Sequence, residues 1–158
     1  MSLFLSKERI RKALVATAVA VAVWAFAAAF QEVLYPLLKG VKWSQAGAKL
    51  FIGLGRMFAI YFVKNAIFAV TLGGLPLFLG FLGLLAWRGK PGGSSSPAGN
   101  LLAALLLILL LMALLVGAGH FTSLISFKYS GSYVKAIIAV TLGVLAGLFT
   151  LGRRRTKD

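Results

Sequence analysis

Apolar positions in this chain form long unbroken runs, separated by short basic or glycine-rich stretches. The first run extends from Ala13 to about Tyr35, behind a basic start with Lys7, Arg9, Arg11 and Lys12. At 1.5 Å per residue, a helix needs about 20 residues to cross a hydrocarbon layer of ~30 Å. The run is long enough. A basic start, an apolar stretch and the small residues Ala27, Ala28 and Ala29 also have the outline of a secretory signal. The run exceeds a typical signal core, so it reads as an uncleaved first span over 13–35. Pro36 ends it, because proline lacks the amide donor and its ring collides with the preceding turn.

Residues 39–58 differ in pattern. Lys42, Lys49 and Arg56 recur every seven residues and share one helical face, while Leu50, Phe51, Leu54, Met57 and Phe58 cover much of the other. This predicts an amphipathic helix over about 42–57 lying in the membrane interface, with Trp43 in the headgroup layer. The competing reading is a polar lead-in to the next span. That span, 58–87, is longer than a perpendicular crossing needs and is interrupted by Gly73, Gly74 and Pro76. These three are the candidate hinge, where the helix tilts, kinks or breaks. A break in lipid would leave backbone groups unpaired, so it would have to be buried against protein or line a cavity.

The Gly, Ser and Pro of residues 88–100 predict a flexible loop. A leucine-rich span follows over 101–124 and has no polar face. A short polar turn at 127–133 precedes the last span, 133–151, and Arg153, Arg154, Arg155 and Lys157 follow it. The predicted fold is all-α: a multi-pass transmembrane helix bundle of about four spans plus one interfacial amphipathic helix, in a single membrane domain.

Charge orients this arrangement. With both termini cytoplasmic, ten cations lie inside: Lys7, Arg9, Arg11, Lys12, Arg88, Lys90 and the four at the C-terminus. Six lie outside: Lys39, Lys42, Lys49, Arg56, Lys128 and Lys135. That bias favours both ends on the cytoplasmic side of a cell membrane, although the basic amphipathic segment weakens it. A five-span variant broken at Pro76 would put the basic termini on opposite sides and ranks second.

Composition agrees. Sixty per cent of residues are hydrophobic and 13% charged, too little polar surface to cover a soluble fold. The net charge of +14 would suggest nucleic acid on a soluble domain. Here the cations flank apolar runs, which points to anionic lipid headgroups and not to nucleic acid. Cysteine is absent, which excludes disulfides and thiolate chemistry. No phosphate loop, carboxylate pair, zinc spacing or serine elbow occurs, and no cofactor or metal is implied.

Few residues could carry chemistry within the spans. Glu32, beside Gln31, either pairs with a cation of another helix or sits solvated in the interface. Lys64 either snorkels to the surface or joins Asn65 in holding an anionic group, and Asn65 would bond a neighbouring helix. His120 has no acidic neighbour in sequence and reads as an interface or packing residue. Ala66–Leu75 (AIFAVTLGGL) and Ala136–Leu145 (AIIAVTLGVL) agree at eight of ten positions, by duplication or by chance in an apolar alphabet. In the four-span arrangement the two copies run in the same direction. Thr71 and Thr141 match within this echo. Gly143 and Gly147 have small-xxx-small spacing, for packing within the chain or for a dimer.

Ala59–Gly74, AIYFVKNAIFAVTLGG, resembles the opening of the core of the stage II sporulation protein M family of small membrane proteins. In that family an Asn-Asn pair opens a span after an amphipathic segment, and a later span carries His-Gly followed by an acidic residue. Lys64-Asn65 stands at the pair and Gly119-His120 near the histidine. The chain departs from the pattern: only Asn65 of the pair is present, and neither Gly nor Glu follows His120. The likeness covers about 100 residues, mostly through span order. It implies a non-enzymatic multispan protein, a partner of other membrane machinery, with no defined substrate.

Two functions fit. One is a structural or accessory subunit packing against partner helices, favoured by small size, glycine faces and scarce intramembrane acids. The other is a small oligomeric transporter or channel for an anion or small solute, favoured by Lys64, the echo and the Gly73–Pro76 interruption. An enzyme acting on lipids ranks below both, because no nucleophile or metal is identifiable.

Overall fold

The structure is a computed structural model that describes residues 6–34, 47–88, 97–124 and 133–152. All but the two residues capping helix starts, Ser6 and Gly47, are helical. Five helical segments follow in order: α1 (Lys7–Ala29), α2 (Ala48–Ala69), α3 (Leu75–Arg88), α4 (Pro97–Leu124) and α5 (Tyr133–Gly152). π-turns extend α1 over Phe30–Leu34 and join α2 to α3 over Val70–Gly74. Ser6 starts α1 as an N-cap, its Oγ accepting from the Arg9 amide at 3.3 Å. Pro97 starts α4, where its missing donor and fixed φ cost nothing.

The all-α bundle agrees with the sequence reading, and three stretches are long and apolar enough to cross a membrane: Lys7–Val33, Leu50–Arg88 and Lys135–Gly152. The described apolar part of α4, Ala98–Leu114, is shorter, although the helix itself has 28 residues. Two boundaries differ from expectation. No break separates an interfacial helix at 42–57 from a span at 58–87, because α2 runs continuously through both; residues 42–46 lie outside the described residues. The loop expected at 88–100 gives way to helix at both ends: Arg88 closes α3, and 97–100 form the first turn of α4.

Side-chain volume organises the packing. The face of α1 that meets α5 carries Ala13, Ala16, Ala20 and Ala27, with Trp24 among them, and all five are buried. On α5, Ala136, Ala139, Val140, Gly143 and Val144 are buried. A Cβ placed on Gly143 would lie 2.6 Å from the Ala20 carbonyl oxygen and 3.1 Å from Trp24 Cβ. One on Gly147 would lie 3.0 Å from the Ala16 oxygen and 2.9 Å from Phe81 Cε2. The Gly143/Gly147 face is therefore spent within the chain, where missing side chains let two backbones approach closely.

These contacts fix direction. Gly143 meets Ala20 and Gly147 meets Ala16, so α1 and α5 are antiparallel, and Gly152 falls about level with Arg11. Gly73 packs on the Trp24 ring, and Phe81 reaches the Gly147–Ala16 contact. α3 is therefore also antiparallel to α1, with Arg88 about level with Arg9. A Cβ on Gly80 would lie 2.9 Å from Leu107 Cδ1. Arg88 Nη2 donates to Asn100 Oδ1 at 2.6 Å. α3 and α4 are thus antiparallel, and the bundle runs up, down, up, down.

The echo of the sequence has a packing role. Gly73 and Gly143 occupy matching positions and both press on Trp24. Ala69 and Ala139 also match, and both are fully buried. Each copy thus presents a small residue four positions before its glycine, and together they clasp Trp24, Gly73 against its ring and Gly143 against its Cβ and backbone.

α2 leaves this alignment. The Phe26 and Phe58 rings meet edge to face with centroids 5.3 Å apart. Yet Phe58 precedes Gly73 by 15 residues, about 22 Å of helix, while Phe26 lies only two beyond Trp24. α2 therefore crosses α1 obliquely, and the rod changes course at the π-turn. Pro76 explains the turn. Its ring would collide with the Leu72 carbonyl in a regular helix, and a π-turn widens the backbone there. The candidate hinge at Gly73, Gly74 and Pro76 is accordingly a kinked helix, with Gly73 buried under Trp24.

The surface is apolar on every helix. Leu14, Phe26, Ile60, Leu79, Leu109 and Phe149 are among many large side chains left exposed, whereas no polar or charged residue is buried among the described residues. In water such a surface would aggregate; hydrocarbon accommodates it.

Gly143→Leu and Gly147→Leu should each lower stability by about 1–3 kcal/mol or more through overpacking. Gly53→Ala, in open space, should leave it unchanged or slightly raised. Thermal unfolding in mild detergent, followed by helical circular dichroism, checks this; a Gly143→Leu chain as stable as the parent would refute the clasp.

Candidate functional site

The polar candidates are dispersed. Asn65 lies on α2 and its Nδ2 donates to the Tyr61 carbonyl of its own helix at 2.9 Å. Among the described residues the expected bond to a neighbouring helix is not made; the amide donates one turn back instead. Lys64 is exposed, and its Nζ sits 5.9 Å from the centroid of the Tyr61 ring, within cation–π range. Tyr61 thus serves both residues, one through its backbone oxygen and one through its ring.

Glu32 is exposed in the π-turn that ends α1. Among the described residues, no hydrogen bond or ion pair joins it to Lys64 or Asn65. Beside it, Gln31 Oε1 is buried without a donor among the described residues. His120 lies in the last turns of α4, and its side chain is outside those described. Thr71 Oγ1 donates to the Ile67 carbonyl at 2.7 Å and faces outward, whereas Thr141 is half-buried on α5. The matched threonines therefore differ in setting, although the glycines two residues on do not. Thr17 and Thr150 also donate to their own helices, at 2.7 and 2.9 Å.

Charge converges at one end of the bundle, where α1 and α4 begin and α3 and α5 finish. Lys7, Arg9, Arg11 and Lys12 occupy the first turns of α1, and the register brings Arg88 to the same level. Lys12 Nζ pairs with Glu8 Oε1 at 2.6 Å. Arg88 is tied across to Asn100, a partly buried contact between the end of α3 and the start of α4. Trp87, half exposed, stands beside Arg88.

Three of these features are not evident from sequence. Trp24 is the residue on which the bundle closes, and its only sequence signal is the alanine spacing around it. Arg88 and Asn100 flank a segment that reads as loop, and a twelve-residue separation predicts no pairing. The gathering of α1 and α3 cations depends on helix direction. Among the described residues, no group of three His, Asp or Glu side chains assembles.

Comparison of the chain with protein-family models, with curated proteins and with solved structures finds no match. The stage II sporulation protein M resemblance therefore stands on its few quoted residues alone.

Asn65→Leu should change stability by less than about 1 kcal/mol, as expected for an intramembrane amide bonded to its own helix. A double-mutant cycle of Arg88→Ala and Asn100→Ala should return a coupling of about 1–3 kcal/mol. Unfolding in detergent measures both; a cycle with no coupling would deny the Arg88–Asn100 tie any energetic role.

Proposed function

We propose that this chain is a non-enzymatic, multi-pass integral membrane protein with four spans and cytoplasmic termini, serving as a structural or accessory subunit that packs against partner helices. The observation that carries the proposal is the division of α4. Among the residues of α4 whose side chains are described, only a narrow stripe, Ala104, Leu107 and Leu111, is buried, whereas Leu101, Leu102, Leu105, Leu106, Leu109 and Leu110 face outward. A helix held by so few residues leaves most of its circumference for lipid or for another helix. The up-down-up-down order supports an even number of crossings with both ends on one side. The basic residues at that end support the cytoplasm as that side. The resemblance at Lys64-Asn65 points to the same class of protein.

A second reading, a small oligomeric transporter or channel, draws on Lys64 and Thr71. They lie seven residues apart on one exposed face of the rod, the latter within the π-turn. Copies assembled through this face would place both residues along a shared lining. The buried interior of a single chain is uniformly apolar among the described residues, which favours the first reading.

Affinity purification in gentle detergent, with mass and composition read from the eluate, is expected to return a stoichiometric complex with another membrane protein. Liposomes containing the pure chain are expected to show no ion or solute flux. A clean homo-oligomer with reproducible flux, abolished by Lys64→Ala, would establish the channel in its place.

A further inference from the structure

We infer that the end of the bundle where α1 begins and α3 finishes is a binding surface for anionic phospholipid, which it gathers from the surrounding bilayer. The inference rests on the membrane reading above and adds the ligand class and its place.

Helix direction makes the surface. The described residues of α1 and α3 bring Lys7, Arg9, Arg11, Lys12 and Arg88 together, against the single carboxylate of Glu8. Gly152 ends α5 at the same level. Two helices begin here and two finish, so their dipoles largely offset one another and the side chains set the charge. The opposite tips of α1 and α5 hold Glu32 and Lys135, one of each sign. The other described cations, Lys49, Arg56 and Lys64, are spread along α2, so the densest cluster of positive charge among the described residues is at this end.

The neighbours of these cations select the ligand. Leu14 and Val15 are exposed within one turn of Lys12, and Leu101 and Leu102 are exposed directly after Asn100. Trp87 is 50% exposed immediately before Arg88. Indole prefers the boundary between headgroup and acyl chain, and so marks that level on the bundle. Cations above an apolar wall match a molecule with a phosphate at one end and hydrocarbon at the other. Nucleic acid or an acidic peptide would match the cations and leave the wall uncovered. Lys and Arg stems lie along such a wall while their heads stay among phosphates. The Arg88–Asn100 bond holds one guanidinium at the junction of α3 and α4.

Trp87 supplies the reporter. The full chain is reconstituted into phosphatidylcholine vesicles containing a fixed fraction of brominated phosphatidylglycerol or of brominated phosphatidylcholine. Quenching at Trp87 is read as the difference between the chain and its Trp87→Phe variant. Brominated phosphatidylglycerol is expected to quench more, with a local enrichment of about fivefold for each cation engaged. The combined Arg9→Gln, Arg11→Gln and Lys12→Gln variant should lose most of the preference. Arg9→Lys with Arg11→Lys, which keeps charge, should retain it, as should Lys135→Gln at the far end. Equal quenching by the two lipids, or a preference that survives the glutamine variant, would overturn the inference. Flotation of the same vesicles separates the failures. A chain that floats with both lipids but shows no preference defeats only this inference, whereas one that floats with neither defeats the membrane reading as well.

Discussion

The close approach of three helices around Trp24 is the contact on which the rest of the structure depends. Gly73 presses on the indole from the π-turn before α3, Gly143 of α5 lies against the Trp24 Cβ and backbone, and Ala16 and Ala20 offer bare backbone to Gly147 and Gly143. Apolar side chains gain little by leaving hydrocarbon for a protein interior, so helices in lipid associate mainly through dense van der Waals packing. That packing needs small residues facing one another and one large side chain to fill the centre. The alanine stripe of α1, the two glycine-bearing copies of the echo and Trp24 supply both.

Direction follows from this contact. Because Gly73 and Phe81, and the glycines of α5, meet α1 in antiparallel register, the start of α1, the end of α3 and the end of α5 fall at one end of the bundle. Cations far apart in sequence become neighbours, and the charge of a strongly basic chain acquires a polarity. The π-turn before Pro76 has a second consequence. It lets the rod from Ala48 to Arg88 stay helical while α2 swings across α1 to meet Phe26. The chain stays helical through the turn, and so avoids the unwound break that lipid would not allow.

The proposed function draws on the surfaces of this architecture. The described interior holds no buried polar or charged side chain, and the polar groups of the spans are largely occupied by their own helices: Asn65 by Tyr61, Thr71 by Ile67. The outward leucines of α4 and the basic end are two surfaces that neighbours could meet, one apolar and one charged. Together they suit a protein that sits in lipid and holds neighbours, whether helices or headgroups.

Much of this was legible in the chain itself. Long apolar runs, their length against a bilayer, and the basic stretches between them were enough to determine an all-α bundle and the approximate limits of its helices, because those properties depend on local composition and on the rise of a helix. The small-xxx-small face at Gly143 and Gly147 was visible too, though not what it meets. Tertiary structure alone decided that this face turns inward to α1, that Trp24 is the centre, that Asn65 bonds its own helix, and that α2 continues unbroken past residue 57. It also decided that Arg88 reaches Asn100. Each of these depends on which helix lies beside which and in what direction. A sequence with several equally apolar faces does not specify that choice locally; it is made by the fit of Trp24 against two glycines, one at its ring and one at its backbone.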